Sequence, residues 1–233
     1  MLTDFHSHIL PGIDDGSRSI EQSLAMLAME AEQGVDQVIA TPHFYARHDD
    51  PERFLARRTS AADELFRVTE GKIGFPAIKL GAEVRFFNGI SECDALSRLT
   101  IDKKHCILIE MPEVFWTEKM YRELEGIYTK QGLTPIIAHI DRYVRPLTCH
   151  KVLRELEQLP VLVQANAGWF LEPVTARLAL RLLRQEQIHL LGSDCHNLSD
   201  RAPNLGSAAA VIREKLGNVS LERIAGYQQK VLE

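Results

Sequence analysis

Short apolar runs recur along the chain, each followed by a longer stretch with helical periodicity. The runs lie at residues 2–7, 35–41, 77–83, 106–110, 134–139, 161–165 and 188–193. They are rich in Val, Ile and Leu and nearly continuous in their hydrophobicity, as in strands covered on both faces. Between them the spacing predicts helices. Ser19 opens the first, Leu24, Leu27, Ala28 and Ala31 share one face, and Gly34 ends it. Further helices are expected over 52–70, 117–131 (stopped by Gly132), 147–158, 173–186 (Pro173 in its first turn), 205–216 and 220–232. Residues 90–99 are less regular. Strands alternating with helices argue for βα units around a parallel sheet. Seven units without a Gly-x-Gly-x-x-Gly fingerprint favour a β/α barrel over a dinucleotide-binding open sheet. No repeat, low-complexity tract or linker divides the chain, so residues 1–233 read as one domain.

Composition narrows the class. The 233 residues are 45% hydrophobic and 25% charged, as in an ordinary globular protein. No apolar run reaches membrane-spanning length, and no basic and apolar leader precedes the first strand. Cys93, Cys106, Cys149 and Cys195 are scattered without Cys-x-x-Cys pairing, so a reducing cytoplasm is expected rather than a disulfide framework. The net charge of -5 argues against a broad nucleic-acid surface. An anionic substrate would have to be drawn by local cations.

The candidate chemistry is positional. In a β/α barrel the carboxyl ends of the strands converge on one face, where active sites form. His6 and His8, two apart on an extended run, project the same way. The later runs end on His43, Glu83, Glu110, His139, and Asp194 with His196. A lone strand-end histidine is more often a hydrogen-bonding rim residue than a ligand, and Glu83 could simply pair with Arg85. Eight such residues at equivalent positions are hard to attribute to chance. Five imidazoles and three carboxylates exceed one tetrahedral zinc site. They suit a two- or three-metal cluster for phosphate-ester hydrolysis, with mixed donors fitting Mn, Fe or Zn. His48, His105, His150 and His189 lie off the pattern and read as surface or packing residues.

Several motifs carry a resemblance. His6-Ser7-His8, Thr41-Pro42-His43, Gly81-Ala82-Glu83, Leu108-Ile109-Glu110, Ala138-His139 and Ser193-Asp194-Cys195-His196 are similar to those of the polymerase-and-histidinol-phosphatase (PHP) superfamily. More narrowly, HSHILPGIDDG, VIATPHF, PIIAHIDRY and LGSDCHN resemble the bacterial PHP-type protein tyrosine phosphatases of capsule and exopolysaccharide loci. The resemblance implies a distorted seven-stranded β/α (TIM-like) barrel and a manganese centre of two or three ions. It also implies dephosphorylation of tyrosines on a partner tyrosine kinase. The chain departs from that pattern at Ile140-Asp141, where proline and glutamate are usual, and over residues 166–170. No ligand position is lost, and the departures bear on substrate specificity.

In such a site a water acidified by the cations would supply hydroxide for in-line attack on phosphorus. Arg142 and Arg201 would neutralise the phosphoryl oxygens. Asp14 and Asp15 could orient a histidine, help protonate the leaving group, or simply form the turn before Gly16. Cys195-x5-Arg201 matches the spacing of cysteine-dependent phosphatases, but no glycine lies between them and Cys195 sits between two metal-ligand candidates. Two other functions stay open: a small-molecule phosphatase of the superfamily, such as one for histidinol phosphate, and a non-catalytic barrel.

Overall fold

The computed structural model describes residues 1–144 and 149–233. Among them, nine parallel strand segments alternate with helices: β1 (Thr3–Ser7), β2 (Gln37–Ala40), β3 (His43–Phe44), β4 (Ala77–Leu80), β5 (Glu83–Arg85), β6 (Cys106–Glu110), β7 (Thr134–Ile137), β8 (Leu162–Asn166) and β9 (Leu190–Gly192). The helices are α1 (Ile20–Glu32), α2 (Pro51–Thr69), α3 (Glu118–Gln131), α4 (Cys149–Leu156), α5 (Gly168–Leu171), α6 (Ala176–Arg184), α7 (Leu205–Leu216) and α8 (Asn218–Leu232). Three 3-10 turns occupy the irregular stretch that contains residues 90–99. Among the described residues no helix is long and apolar enough to cross a membrane.

The strands form two parallel sheets, ordered β1-β2-β4 and β3-β5-β6-β7-β8-β9. The expected run 77–83 is broken into β4 and the start of β5, and the run 35–41 shortens to β2, with β3 beginning at His43 where a loop is expected. Pro42 has no N–H to give the ladder, and Gly81-Ala82 steps the partner chain at the same level. Bonds from Gly81 N–H to Ala40 O (2.8 Å) and from Glu83 N–H to Pro42 O (3.0 Å) carry the pairing across the step. At the other side β9 returns to β1, where His8 N–H donates to Cys195 O (2.9 Å) and Asp194 N–H to His6 O (2.8 Å). The parallel sheet therefore curls round.

Local chemistry fixes the helix ends. Ser19 caps α1 by accepting Gln22 N–H, Asp50 caps α2 through Arg53 N–H, and Gly132 ends α3 with φ +68. The helix expected over 173–186 begins later, at Ala176, because the short α5 precedes it and buries Trp169 and Phe170. The expected helix start at Leu147, and the side chains of Cys149 and His150, lie outside the described residues and side chains.

Alternation along β6 shows how the core aims the site. Cys106 and Leu108 join an inner cluster with Phe5, Ile39, Ile136 and Leu190, whereas Ile107 and Ile109 pack outward against the helices. Glu110 therefore falls on the inner face, above that apolar floor. Each fully buried aliphatic side chain there contributes about 1.5–3 kcal/mol.

Gly192 lies where β9 crosses closest to β1: a Cβ there would sit 2.5 Å from His6 Cβ and 2.8 Å from its backbone nitrogen. Gly192→Ala is expected to lower stability by about 1–3 kcal/mol, read as a fall in the thermal unfolding midpoint. Gly226, inside α8 with open space around it, provides the contrast. Gly226→Ala is expected to raise stability by about 0.5–1 kcal/mol.

Candidate metal centre

The eight strand-end candidates meet at one mouth of the curled sheet, and Glu83 stands at their centre. Its Oε2 lies 3.2 Å from His6 Nε2, 3.4 Å from His8 Nε2 and 2.9 Å from His43 Nδ1, and its Oε1 lies 2.8 Å from His139 Nε2. Asp194 Oδ1 is 3.5 Å from Nε2 of both His6 and His8. Glu110 Oε1 is 3.7 Å from His139 Nε2. The His196 ring lies against His8 with centroids 3.9 Å apart. His8, His139, Asp194 and His196 lie just past their strands, and two of them, His139 and Asp194, have φ of +34 and +54. β7 and β9 have already ended, and this left-handed backbone turns both side chains to the mouth.

Donor atoms within 4.8 Å of one another form three overlapping groups at the mouth: His6, His8 and Asp194; His43, Glu83 and Glu110; and His8, Asp15, His43 and His196. Buried Glu83 Oε2, His43 Nδ1 and His196 Nε2 make no aligned hydrogen bond in the protein. A bound cation would satisfy all three, and the mixed nitrogen and oxygen donors fit a borderline divalent metal.

The two aspartates of the first loop separate in role. Asp14 Oδ2 is 2.7 Å from His8 Nδ1 and accepts His43 N–H (3.1 Å), while its Oδ1 accepts Gly16 N–H (3.0 Å). Gly16 is required for this turn, since a Cβ there would lie 2.3 Å from His8 O. Asp15 is 65% exposed, with Oδ1 3.4 Å from His43 Nε2 and 3.5 Å from His196 Nε2. Burial works against a charge on His8, but Asp14 and Glu83 outweigh it and raise the imidazole to about 10. Asp14, despite its own burial, is drawn down to about 2 by His8. Burial and the neighbouring His8 lower His196 to about 4. Glu83 is held well below the usual carboxylate range: burial opposes this, and His6 with the bonded imidazoles prevails.

Among the described residues, three guanidiniums line the open side. Arg142 reaches Glu110 Oε1 (3.2 Å) and Asp194 Oδ2 (2.9 Å), and Arg201 reaches Asp194 Oδ1 (2.8 Å). Arg85 pairs with Glu110 Oε2 (2.8 Å) rather than with Glu83, because Arg85 and Glu110 are register partners across β5 and β6. Sequence reasoning missed Arg85 as a member of this rim. It also missed Tyr143, whose hydroxyl donates to Met111 O (2.8 Å) and lies 3.2 Å from His139 Nδ1. Gln164 and Asn166 were missed too, although their i, i+2 spacing on a strand repeats that of His6 and His8. Of the off-pattern histidines, His48 and His105 are exposed, and His189 packs edge-on against Tyr227.

Cys195 does not face the mouth. It is fully buried, and burial with Glu30 and Asp4 pushes its thiol well above the usual value. It clusters with Asp4 and Glu30, the latter pushed up to about 10 by burial and by Asp4. Arg201 pairs with Asp194, so the spacing of Cys195 and Arg201 builds no thiolate phosphate loop.

Comparisons with known proteins identify similar chains. A family model for capsular polysaccharide synthesis, CpsB/CapC, matches residues 2–232. The tyrosine-protein phosphatase CpsB of Streptococcus pneumoniae is 29% identical, over 93% of this chain and 91% of the relative. YwqE of Bacillus subtilis, also a tyrosine-protein phosphatase, is 28% identical over 93% of this chain and 86% of its own. A solved structure from work on YwqE and CpsB as metal-dependent tyrosine phosphatases matches with TM-score 0.83 and 25% identity, covering 99% of this chain and 92% of that one. A histidinol phosphatase candidate of Listeria monocytogenes, at TM-score 0.54 and 13% identity, shares the fold.

The titrations of His8 and Glu30 give the metal-free protein a defined pH response. His8, raised from 6.5 to about 10, contributes stability below pH 6.5 that is lost as pH climbs towards 10. Glu30, raised from 4.5 to about 10, stays neutral when folded but ionises when unfolded, which favours unfolding from about pH 4.5 upward and adds to the His8 loss above pH 6.5. Thermal unfolding of chelator-treated protein is expected to shift to lower temperature from about pH 6.5 upward, and added divalent metal to reverse the shift.

Proposed function

The chain belongs to the CpsB/CapC family of capsular polysaccharide synthesis, and from that premise we propose that it is a metal-dependent protein-tyrosine phosphatase. Its substrate on this reading is a phosphotyrosine-bearing protein, an autophosphorylated bacterial tyrosine kinase of a capsule or exopolysaccharide system. One observation carries the reading: among the described residues, three donor groups are chained through His8 and His43, Glu83 touches members of each, and three guanidiniums border them on the open side. That is a site for two or three divalent cations facing an anion.

His6, His8, His43, Glu83, Glu110, His139, Asp194 and His196 would hold the metals, with manganese as the native ion. Metals bound there supply hydroxide at neutral pH and offset charge on the phosphoryl oxygens. The chain's own groups do the rest. Asp14 takes the Nδ1 proton of His8 and so turns its Nε2 inward. Arg85, Arg142 and Arg201 are 41%, 31% and 36% exposed and now neutralise Glu110 and Asp194. With cations on those carboxylates, the guanidiniums are free to grip phosphate oxygens in pairs. Asp15, exposed beside His43 and His196, completes a ligand set or protonates the departing phenolate. A phenol of pKa about 10 leaves without a strong general acid.

The fold reading supports this assignment. Taking β3 and β5 as continuations of β2 and β4 gives seven lines, and on that reading the chain is a distorted seven-stranded TIM-like barrel forming a single domain over residues 1–233. Cys93, Cys106 and Cys195 are free thiols, in keeping with a reducing cytoplasm.

The test is phosphate release by metal-stripped protein, with and without added Mn2+, from a phosphotyrosyl peptide and from histidinol phosphate. Restoration by Mn2+ with preference for the peptide is the expected result. Preference for histidinol phosphate would move the protein to small-molecule chemistry. Activity indifferent to chelator but lost in Cys195→Ser would overturn the metal mechanism. In the loaded enzyme, Arg201→Ala is expected to lower kcat/KM by roughly 10²- to 10³-fold.

A further inference from the structure

β8 places two side-chain amides on the face of the strand that looks toward the metal centre. Gln164 is fully buried, and each polar end of it is engaged. Its Oε1 accepts His139 N–H at 2.6 Å and faces His6 Nδ1 at 3.4 Å. Its Nε2 donates to Asn166 Oδ1 at 3.1 Å, and Asn166 Nδ2 in turn donates to Asp194 Oδ2 at 3.2 Å. The orientation of both amides follows from these partners. A backbone N–H can only donate, so Gln164 must present its oxygen to His139, which leaves its NH2 for Asn166 and that of Asn166 for Asp194. The packing leaves little freedom: a Cβ on Gly192 would lie 2.9 Å from Gln164 Nε2.

We propose that Gln164 and Asn166 form a positioning relay that decides which atoms of His6, His139 and Asp194 face the metals. This rests on the metal-site reading above. The relay has three consequences. A proton on His6 Nδ1 directs to Gln164 and leaves Nε2, 3.2 Å from Glu83 Oε2, as the donor. Asn166 holds Asp194 Oδ2 along with Arg142 (2.9 Å), whereas Oδ1 is held only by the exchangeable Arg201 (2.8 Å) and lies 3.5 Å from Nε2 of His6 and of His8, so Oδ1 is the metal-facing oxygen. Asp194 is then a one-oxygen ligand. His139, with φ +34, is held in a backbone conformation that L-residues rarely adopt by the short bond from its N–H to Gln164. One amide pair thus orients ligands from β1, the turn after β7 and the turn after β9.

The experiment is calorimetric Mn2+ titration of wild-type protein, Gln164→Glu, Gln164→Leu and Asn166→Asp, with thermal unfolding of each metal-free form. Gln164→Glu keeps the oxygen that His139 and His6 require but loses the NH2 that Asn166 accepts from, and is expected to bind Mn2+ more weakly than wild type and more tightly than Gln164→Leu. Gln164→Leu removes that oxygen and is expected to bind about 10- to 100-fold more weakly, the usual cost of losing a partner behind a metal ligand. Asn166→Asp sets a second carboxylate against Asp194 Oδ2, so its loss of affinity should deepen as pH falls and protons compete. A role confined to packing would give the opposite ranking, with Leu tolerated better than a buried Glu. Equal affinities for Gln164→Leu, Asn166→Asp and wild type would overturn the relay. If Gln164→Leu fails to fold, Gln164→Glu and the pH profile of Asn166→Asp decide. Wild-type protein that takes up no Mn2+ would overturn the metal-site reading and the relay with it. A paramagnetic Mn2+ centre is replaced by Zn2+ for a direct check, in which nitrogen-15 spectra should show His6 protonated at Nδ1 in wild type, with that proton exchanging faster with water in Gln164→Leu.

Discussion

Glu83, buried at the start of β5, has its two oxygens 2.8 to 3.4 Å from nitrogens of four imidazoles, and no guanidinium among the described residues is ion-paired to it. A carboxylate taken out of water costs several kcal/mol unless positive charge arrives with it. Here that charge can come from protons on His6 and His8 or from metal ions at the same nitrogens. Protons and metals therefore compete for one set of lone pairs, and either of them offsets the buried carboxylate. Three arginines perform the same service for Glu110 and Asp194 from the solvent side. A cation between these carboxylates would turn the arginines from structural counter-ions into substrate groups.

The geometry behind this depends on departures from a regular barrel. The step at Pro42 and Gly81 ends one ladder and begins another, in which His43 and Glu83 are direct register partners. An unbroken pair of strands would have kept the alternation of β2 and β4. His139 and Asp194 likewise leave their strands in left-handed conformations, held by Gln164 and by the β1 backbone. Strain of this kind costs on the order of 1–3 kcal/mol per residue and persists where surrounding bonds over-determine it.

Much of the site was legible in the sequence because apolar runs ending on a histidine or an acid mark strand ends directly. The residues that escaped did so for physical reasons. Arg85 reads as a neighbour of Glu83 along the chain, yet the pleat sends it across the ladder to Glu110. Gln164 and Asn166 sit in and just past a run that otherwise reads as buried strand, where a lone polar residue signals little until its partners from other strands are known. Asp15 read as a turn former or acid, and only tertiary contact brings it to His43 and His196. The step was invisible because the runs read straight on through Thr41 and Gly81, where the ladder passes from β2 and β4 to β3 and β5. The CpsB/CapC motifs, by contrast, were plain in HSHILPGIDDG and LGSDCHN, since each packs several ligands into one short stretch.

Anomalous X-ray diffraction from crystals grown with Mn2+ tests the central claim most directly, because it locates the metal independently of catalysis. The account predicts peaks at the mouth, in contact with Glu83 and shared between the groups of His6, His8 and Asp194 and of His43 and Glu110, with Asp194 ligating through Oδ1. Mn2+ bound elsewhere, or a mouth in which Arg142 and Arg201 still hold bare carboxylates at saturating metal, would contradict it.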